Sequence, residues 1–382
     1  MNADIEPQLL QRLDRKLSLA SRSTGAAWNE LEAVDTRGID FDGRPVVLMG
    51  AGSVIAQPFV KHALENYQVE LLIDNARVGK SVDGAVFEGD ESLSRIAHKL
   101  NRAVAVICCC SEGPVRHFTE LARQFELPAL SLFQAQRRTS LSGYSDTFSD
   151  PQDIARATEE FLPLLEDHRS RETLIRLCLY RLTWDLRDLE PVRRSEDLMY
   201  FQDAPKKLQE EEVLIDGGAY VGDSVTSFLH QTNQRYKEIH AFEPDFENCA
   251  RLRESHGARD RVHIYRSGLW SESTMLKFDA RGSLGSRLAE DGQSRIEVTA
   301  IDELDTAPIT FIKLDVEGAE IAALQGAVRT LSDTMPQLAV CAYHLPFHLY
   351  DIPKLVRDIQ PDYKFSFRHY SPILHDSVLY AH

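Results

Sequence analysis

The sequence predicts an α/β protein built from two doubly wound domains, and three observations carry that prediction. Short apolar runs of strand length alternate with stretches whose apolar residues recur at helical spacing, in both halves of the chain. Two of these runs end in glycine turns, Gly50-Ala51-Gly52 and Gly217-Gly218. In each half the next strand-like run ends in an acid, Asp74 or Glu243, where a βαβ unit places one beside a bound ligand. A chain of 382 residues is long enough for two domains of about 150 to 200 residues each.

Taken in order, residues 5 to 35 read as helical and amphipathic through Leu9, Leu10, Leu13, Leu17 and Leu19, interrupted at Gly25. This segment packs either on the first domain or on a partner subunit, which makes a homodimer reasonable. From Pro45 the alternation is plain: Val46 to Met49, a helix from about Ile55 to Asn66, then Val69 to Asp74, Val104 to Cys110 and Ala129 to Phe133. The expected product is a Rossmann-like parallel sheet over residues 41–150, after a helical N-terminal segment 1–40. Gly50, Gly52 and Asp74 are its candidate ligand residues, but Ile55 stands where a dinucleotide fingerprint has its third glycine. The glycines either make a tight turn alone or receive a nucleotide or nucleotide-sugar. Cys108, Cys109 and Cys110 are consecutive on a strand, so they alternate faces and cannot converge on one ion; buried filler is expected.

Asp150-Pro151 reads as a helix start, and Leu174, Leu177, Cys178, Leu182, Leu186 and Leu189 form one apolar stripe across Arg171 to Leu189. A helical connector 151–200 follows from this, with Pro191 and Pro205 marking the boundary to a second domain, 201–382. That domain opens on Val213-Leu214-Ile215, a short strand, which Asp216, Gly217 and Gly218 break before a helix carrying Val221, Val225, Phe228 and Leu229. The strand, tight turn and helix N-terminus aim backbone N–H groups at a ligand. Ala219 occupies the place of the second fingerprint glycine, and the carboxylate of Asp216 repels phosphate. A compact cationic ligand suits the turn better. S-adenosylmethionine fits, because its ammonium pairs with acidic or carbonyl oxygens while its adenosine lies along the glycines, and Glu243 accepts both ribose hydroxyl protons.

Four successive motifs, Asp216-Gly217-Gly218-Ala219, Phe242-Glu243-Pro244, Thr299 to Leu304 and Phe311 to Glu320, resemble those of the FkbM-type methyltransferases over roughly residues 200 to 382. The resemblance implies a class I methyltransferase fold, a mostly parallel sheet completed by an antiparallel hairpin, which Tyr363 to His369 and Val378 to Ala381 would supply. It implies S-adenosylmethionine as cofactor, held by Asp216, Gly217, Gly218, Ala219, Tyr220, Gly222, Glu243 and Pro244, with Ser267 and Leu269 at the adenine. It further implies O-methylation of a sugar, glycan or secondary-metabolite hydroxyl. Asp315, Glu317 and His344 fall at ends of neighbouring strands and are the candidate catalytic residues, His344 first as the base that takes the hydroxyl proton. The stretch Ile73-Asp74-Asn75 through Gly79, Gly84 and Val86 resembles the first domain of sugar-nucleotide acetyltransferases. That resemblance implies a nucleotide-sugar near Gly50, Gly52 and Asp74.

Several classes are excluded or demoted. A net charge of −16 argues against nucleic acid and anionic lipid as partners. No signal peptide is read at Met1 to Ala20, and the apolar run Ala103 to Cys110 is far short of the about 18 residues a membrane span needs, so a cytoplasmic protein is expected. A divalent ion on Asp315, Glu317 and His344 could do the base's work by acidifying the hydroxyl, but these residues form no known linear metal motif and no required metal is expected. Lys277 to Val298, with Gly282, Gly285 and Gly292, reads as a lid or as a surface insertion. The alternative of another class is a nucleotide-sugar or glycan binding protein with a degenerate methyltransferase domain; the intact Asp216, Gly218, Gly222, Glu243 and Asp315 count against it.

Overall fold

A computed structural model describes residues 5–20, 39–139, 141, 147–279, 287–288 and 294–382. The chain divides into two units: Met1–Ala155 with Ile175–Arg193 and Ser371–Leu374, and Arg156–Leu174 with Arg194–Tyr370 and His375–His382. Residues 151–200 thus contribute to both.

In the first unit the strands are β1 (Val46–Met49), β2 (Val69–Ile73), β3 (Ser81–Val82), β4 (Ala85–Glu88), β5 (Val104–Ile107) and β6 (Ala129–Ser131), in sheet order β3-β4-β2-β1-β5-β6. All pairs are parallel except β3 with β4. Alternation within β1 sends Val46 and Leu48 to one face, against Phe59, Val60 and Ala63 of helix Gln57–Asn66. Val47 and Met49 go to the other face, with Val115, Phe118 and Ala122 of helix Glu112–Gln124. The β3–β4 hairpin turns at Asp83 (φ 46) and Gly84 (φ 83), a dipeptide that favours left-handed hairpin turns. Residues 5–20 are helical as expected, with Leu9, Leu13 and Ala20 buried; the remainder of the amphipathic segment, 21–35, lies outside the described residues.

One helix ends earlier than its apolar stripe. It runs His168–Thr183, because Trp184 takes φ 54, which a right-handed helix cannot continue through; Leu186 sits instead in a following 3-10 turn, Leu186–Asp188. Trp184 is fully buried and its indole N–H donates to Ser149 Oγ at 2.9 Å, so tertiary packing, absent from the periodicity, ends the helix.

The second unit holds a seven-stranded sheet of β7 (Val213–Gly217), β8 (Glu238–Phe242), β9 (Val262–Tyr265), β14 (Phe311–Leu314), β15 (Gln337–Cys341), β16 (Phe365–His369) and β17 (Ser377–Ala381). The order is β16-β17-β15-β14-β7-β8-β9; β17 pairs antiparallel with both β15 and β16, and the other pairs are parallel. A smaller sheet orders β10 (Gly268–Leu269), β13 (Ser294–Thr299), β11 (Thr274–Asp279) and β12 (Arg287–Leu288). The expected lid falls here: β11 and β13 pair antiparallel, while residues 280–286 and 289–293, with Gly282, Gly285 and Gly292, lie outside the described residues.

The chain leaves β7 toward β8 on one side and β14 joins it from the other, so the topological switch lies between β7 and β14. Open α/β sheets bind ligands outside the carboxyl ends of their strands at such a point. In-register pairing of Gly217 with Phe242 and with Leu314, and of Leu314 with Val340, brings Asp216, Glu243 and Asp315 to one edge.

Candidate functional site

The turn after β7 is built for close approach. Gly218 has φ 72, and a Cβ there would stand 1.8 Å from the Asp315 carbonyl oxygen, so only glycine lets the backbones of β7 and β14 meet. Gly222 (φ 96) precedes helix Asp223–Gln231, and a Cβ there would meet His256 at 2.6 Å. Gly217 has Leu269 and Leu314 where a Cβ would go. The amides of Gly218 and Ala219 both donate to the Phe242 carbonyl at 3.0 Å, tying the turn to β8.

Glu243 follows β8 and is held from both sides. Its Oε2 accepts from the Tyr220 amide and its Oε1 from the Asp245 amide, each at 2.9 Å. Pro244 keeps Glu243 extended, since the residue before a proline is barred from the helical region. Asp245 then caps helix Phe246–His256, accepting from the amides of Glu247 and Asn248. Glu243 is buried, and burial pushes its carboxyl up to about 7 against the pull of its two amide donors. Each oxygen keeps a lone pair, and a desolvated carboxylate gains from further donors.

Asp216 plays a different part from the one its position in the turn suggests. It is fully buried, its Oδ2 accepts from Ser224 at 2.5 Å, and its Oδ1 lies 3.1 Å from Lys313 Nζ. Lys313, on β14, also donates to the carbonyls of Gly217 (3.1 Å) and Gly218 (2.7 Å). Burial alone would lower the lysine pKa, but Asp216 and Asp315 hold it above its ordinary value. The ammonium thus pins the turn from beneath. Ser267 and Leu269 are also buried: the serine hydroxyl faces Thr299 Oγ1 and the Gly268 carbonyl at 3.0 Å, and Leu269 packs at Gly217.

The catalytic candidates do converge. Asp315 follows β14 and its Oδ2 accepts from Tyr200 Oη at 2.9 Å, while Oδ1 accepts from Tyr343 Oη at 3.2 Å and lies 3.4 Å from His344 Nε2. The same Nε2 lies 3.6 Å from Glu317 Oε2, and His344 Nδ1 lies 2.8 Å from Glu320 Oε1. Glu320 is fully buried, with its Oε1 also accepting from the Val316 amide at 2.9 Å and its Oε2 lying 3.4 Å from His348. Burial works against the imidazolium of His344, yet Glu320, then Asp315 and Glu317, raise its pKa to about 9. Burial raises Glu317 to about 7, with Asp315, Glu320 and Glu243 adding to it against the pull of His344. Burial would raise Asp315 too, but Lys313 and His344 hold it below its ordinary value. One donor atom each from Asp315, Glu320 and His344 lies within 4.8 Å of the others, so this cluster has the spacing to hold a cation.

Tyr200, Lys313, Glu320 and Tyr343 belong to this site beside the residues picked out in the sequence. Tyr200 carries no signal there, being brought across 115 residues of chain to Asp315. Lys313 and Glu320 had one, since both lie within the stretch Phe311 to Glu320 whose acids were singled out. Arg368, His369 and Tyr370 have structural partners: the partly exposed Arg368 lies 3.3 Å from Asp167, the buried His369 meets Ser377 Oγ at 2.8 Å, and the buried Tyr370 donates to Asp203 at 2.9 Å.

In the first unit Gly52 N donates to Asp74 Oδ2 at 2.9 Å and Ala76 N to Asp74 Oδ1 at 3.1 Å. A Cβ on Gly50 (φ 73) would meet Cys109 Cβ at 2.8 Å. Burial raises the thiol pKa of Cys109 and of Cys110 to about 12, as unreactive filler requires.

Residues 216–367 match the sequence profile of the methyltransferase FkbM domain. A crystal structure of methyltransferase FkbM from Methylobacillus flagellatus KT superposes with a TM-score of 0.74 at 24% identity, covering 99% of each chain, which establishes the fold. Aeropyrum pernix fibrillarin with natively bound S-adenosyl-L-methionine matches at a TM-score of 0.30 and 13% identity, over 46% of this chain and 69% of that one. A search of curated proteins finds no match to the chain. The matched residues all fall in the second unit, and the fold is the one the FkbM methyltransferase structure shares. No described helix is long and apolar enough to cross a membrane.

Proposed function

We propose that the protein is an S-adenosylmethionine-dependent O-methyltransferase acting on a hydroxyl of a sugar, glycan or secondary-metabolite acceptor. The observation that carries this is Glu243, a buried carboxylate fixed by the amides of Tyr220 and Asp245 beside the Gly217-Gly218 turn. Its free lone pairs suit two ribose hydroxyls. Charge supports the same ligand: Lys313 neutralises Asp216, while Glu243 and Glu317 are close enough for each to raise the cost of charging the other. A pocket with surplus negative charge favours a cationic sulfonium and ammonium over a pyrophosphate.

S-adenosylmethionine supplies an electrophilic methyl group, which passes from sulfur to the acceptor oxygen as the carbon–sulfur bond breaks. The turn and Glu243 orient the donor; Asp315, Tyr200 and Tyr343 form the polar wall facing the acceptor. His344 takes the hydroxyl proton at Nε2, with Glu320 at Nδ1 fixing the ring. Because the carboxylates keep His344 charged up to about pH 9, this base works on the alkaline side of neutrality.

The test is incubation of the full chain with methyl-labelled S-adenosylmethionine and a panel of free and nucleotide-linked sugars and phenolic and aliphatic alcohols, read by NMR of the products. An O-methyl ether on a carbohydrate or other hydroxyl is expected. Transfer only to nitrogen or carbon would overturn the reading.

A further inference from the structure

The imidazole of His344 lies in a cage of carboxylates. Its side chain is only 8% exposed, and it is surrounded by Asp315, Glu317 and Glu320. Both ring nitrogens are buried without a hydrogen-bond partner: Nδ1 lies 2.8 Å from Glu320 Oε1, and Nε2 lies between Asp315 Oδ1 at 3.4 Å and Glu317 Oε2 at 3.6 Å. The two separations at Nε2 are long for hydrogen bonds. Bonds of about 2.1 Å put adjacent ligands about 3.0–3.4 Å apart, so the Asp315 separation suits a shared ion as it stands and Glu317 needs to close by a few tenths of an ångström.

We propose that His344 Nε2, Asp315 and Glu317 bind a divalent cation of the manganese or magnesium class, with Glu320 holding the Nδ1 proton of His344 from behind. Carboxylate donors select hard divalent ions, and one imidazole shifts the preference toward manganese. Metal-bound histidines donate their second ring N–H to a carboxylate, and Glu320 at 2.8 Å occupies that place. The Val316 amide fixes the same Glu320 oxygen, so the histidine has an anchored support. Glu317 adopts φ 54, a conformation costly for a residue other than glycine, and its carboxylate lies 3.6 Å from His344 Nε2. Linear spacing offers no metal motif; the fold assembles one.

A cation here deepens the methyl-transfer reading, on which its catalytic meaning rests. With an ion at Nε2 the imidazole is a ligand and no longer the base: an acceptor hydroxyl in an open coordination position would become more acidic and would give its proton to solvent water as the oxygen–methyl bond forms. Two neighbouring hydroxyls, as on a sugar ring, would chelate it and set the reacting oxygen.

The experiment is a calorimetric titration of the chelator-treated full chain with Mn²⁺ alone, without methyl donor or acceptor, in two buffers of different ionisation enthalpy. One saturable site per chain is expected, with proton release on binding. His344→Ala should abolish it, Glu317→Gln should weaken it at least tenfold, and Glu320→Gln should weaken it by about 10- to 100-fold. The partly exposed Glu317 makes Glu317→Gln the variant whose folding is not in question, and thermal melts check the other two. No saturable Mn²⁺ binding by the wild type overturns the proposal. So does affinity unchanged in Glu317→Gln. S-adenosylhomocysteine is titrated in parallel: donor binding without Mn²⁺ binding removes only the metal site, and the reverse removes only the methyl-donor reading.

Discussion

The two units share a plan and differ in what their neighbouring strands deliver to it. Each has a parallel sheet whose first strand ends in a glycine turn and whose second ends in an acid that accepts two backbone amides: Asp74 from Gly52 and Ala76, Glu243 from Tyr220 and Asp245. Beyond that the resemblance stops. In the first unit the strand beside the turn delivers Cys109, which fills the space next to Gly50. In the second, β14 delivers Lys313 beneath the turn and Asp315 beside it, and the segment after β15 adds Tyr343 and His344. Topology says where a crevice lies, and the side chains at adjoining strand ends decide what chemistry it can hold.

The largest effect expected from breaking this comparison is at Lys313. Lys313→Met leaves Asp216 as an uncompensated buried carboxylate, and removing one partner of such a pair costs about 3–5 kcal/mol. Denaturant unfolding should show that loss; a change within about 0.5 kcal/mol would mean that the turn does not depend on the ion pair. A smaller effect sharpens the site's electrostatics. The folded pKa of His344 is raised to about 9 from 6.5, so its stabilisation is fully present below pH 6.5 and lost as pH rises through about 9. Glu317, raised to about 7 from 4.5, likewise loses its contribution as pH rises, but between 4.5 and 7. The stability gap between wild type and His344→Asn should therefore shrink between pH 7 and 9, and a constant gap would contradict the carboxylate cage. In divalent-free buffer the methyl-transfer rate should rise over the same range, and Glu317→Gln should move that rise to lower pH.

At about 1 kcal/mol, Asp245→Ala tests the support of Glu243, since it removes the cap of helix Phe246–His256. Its expected signature is that modest loss in unfolding together with weaker S-adenosylhomocysteine binding, because the Asp245 segment carries one of the amides that hold Glu243. Donor affinity equal to wild type would show that the cap does not position the acid. The smallest effect is expected at Asp74→Asn, which should leave donor binding unchanged and so separate the two crevices.

Much of this arrangement was legible in the sequence because it is local. The strands β7, β8, β9 and β14, the glycine turn and the acid after β8 follow from apolar runs and their breakers. Asp315, Glu317 and His344 were placed together because parallel strands share their carboxyl ends. The rest depends on what crosses the sheet. Asp216 and Lys313 pair through the register of β7 with β14, which aligns Asp216 with Lys313 itself. Tyr200 reaches Asp315 from a segment with no periodic signal, and Glu320 reads as a helix-end acid until His344 is folded onto it. The expectation of no required metal came from linear spacing alone, and the folded cluster of Asp315, Glu317 and His344 is what reopens it.

The central claim is that the second unit, through Glu243, holds the methyl donor. The direct measurement is a calorimetric titration of the wild-type chain, Glu243→Ala and Asp74→Asn with S-adenosylhomocysteine. Hydrogen bonds to a charged group contribute about 1.5–3 kcal/mol, so one site per chain in the wild type and in Asp74→Asn should weaken by about 100-fold or more in Glu243→Ala. No binding by the wild type, or binding that survives Glu243→Ala and disappears in Asp74→Asn, would contradict the account and move the ligand site to the first unit.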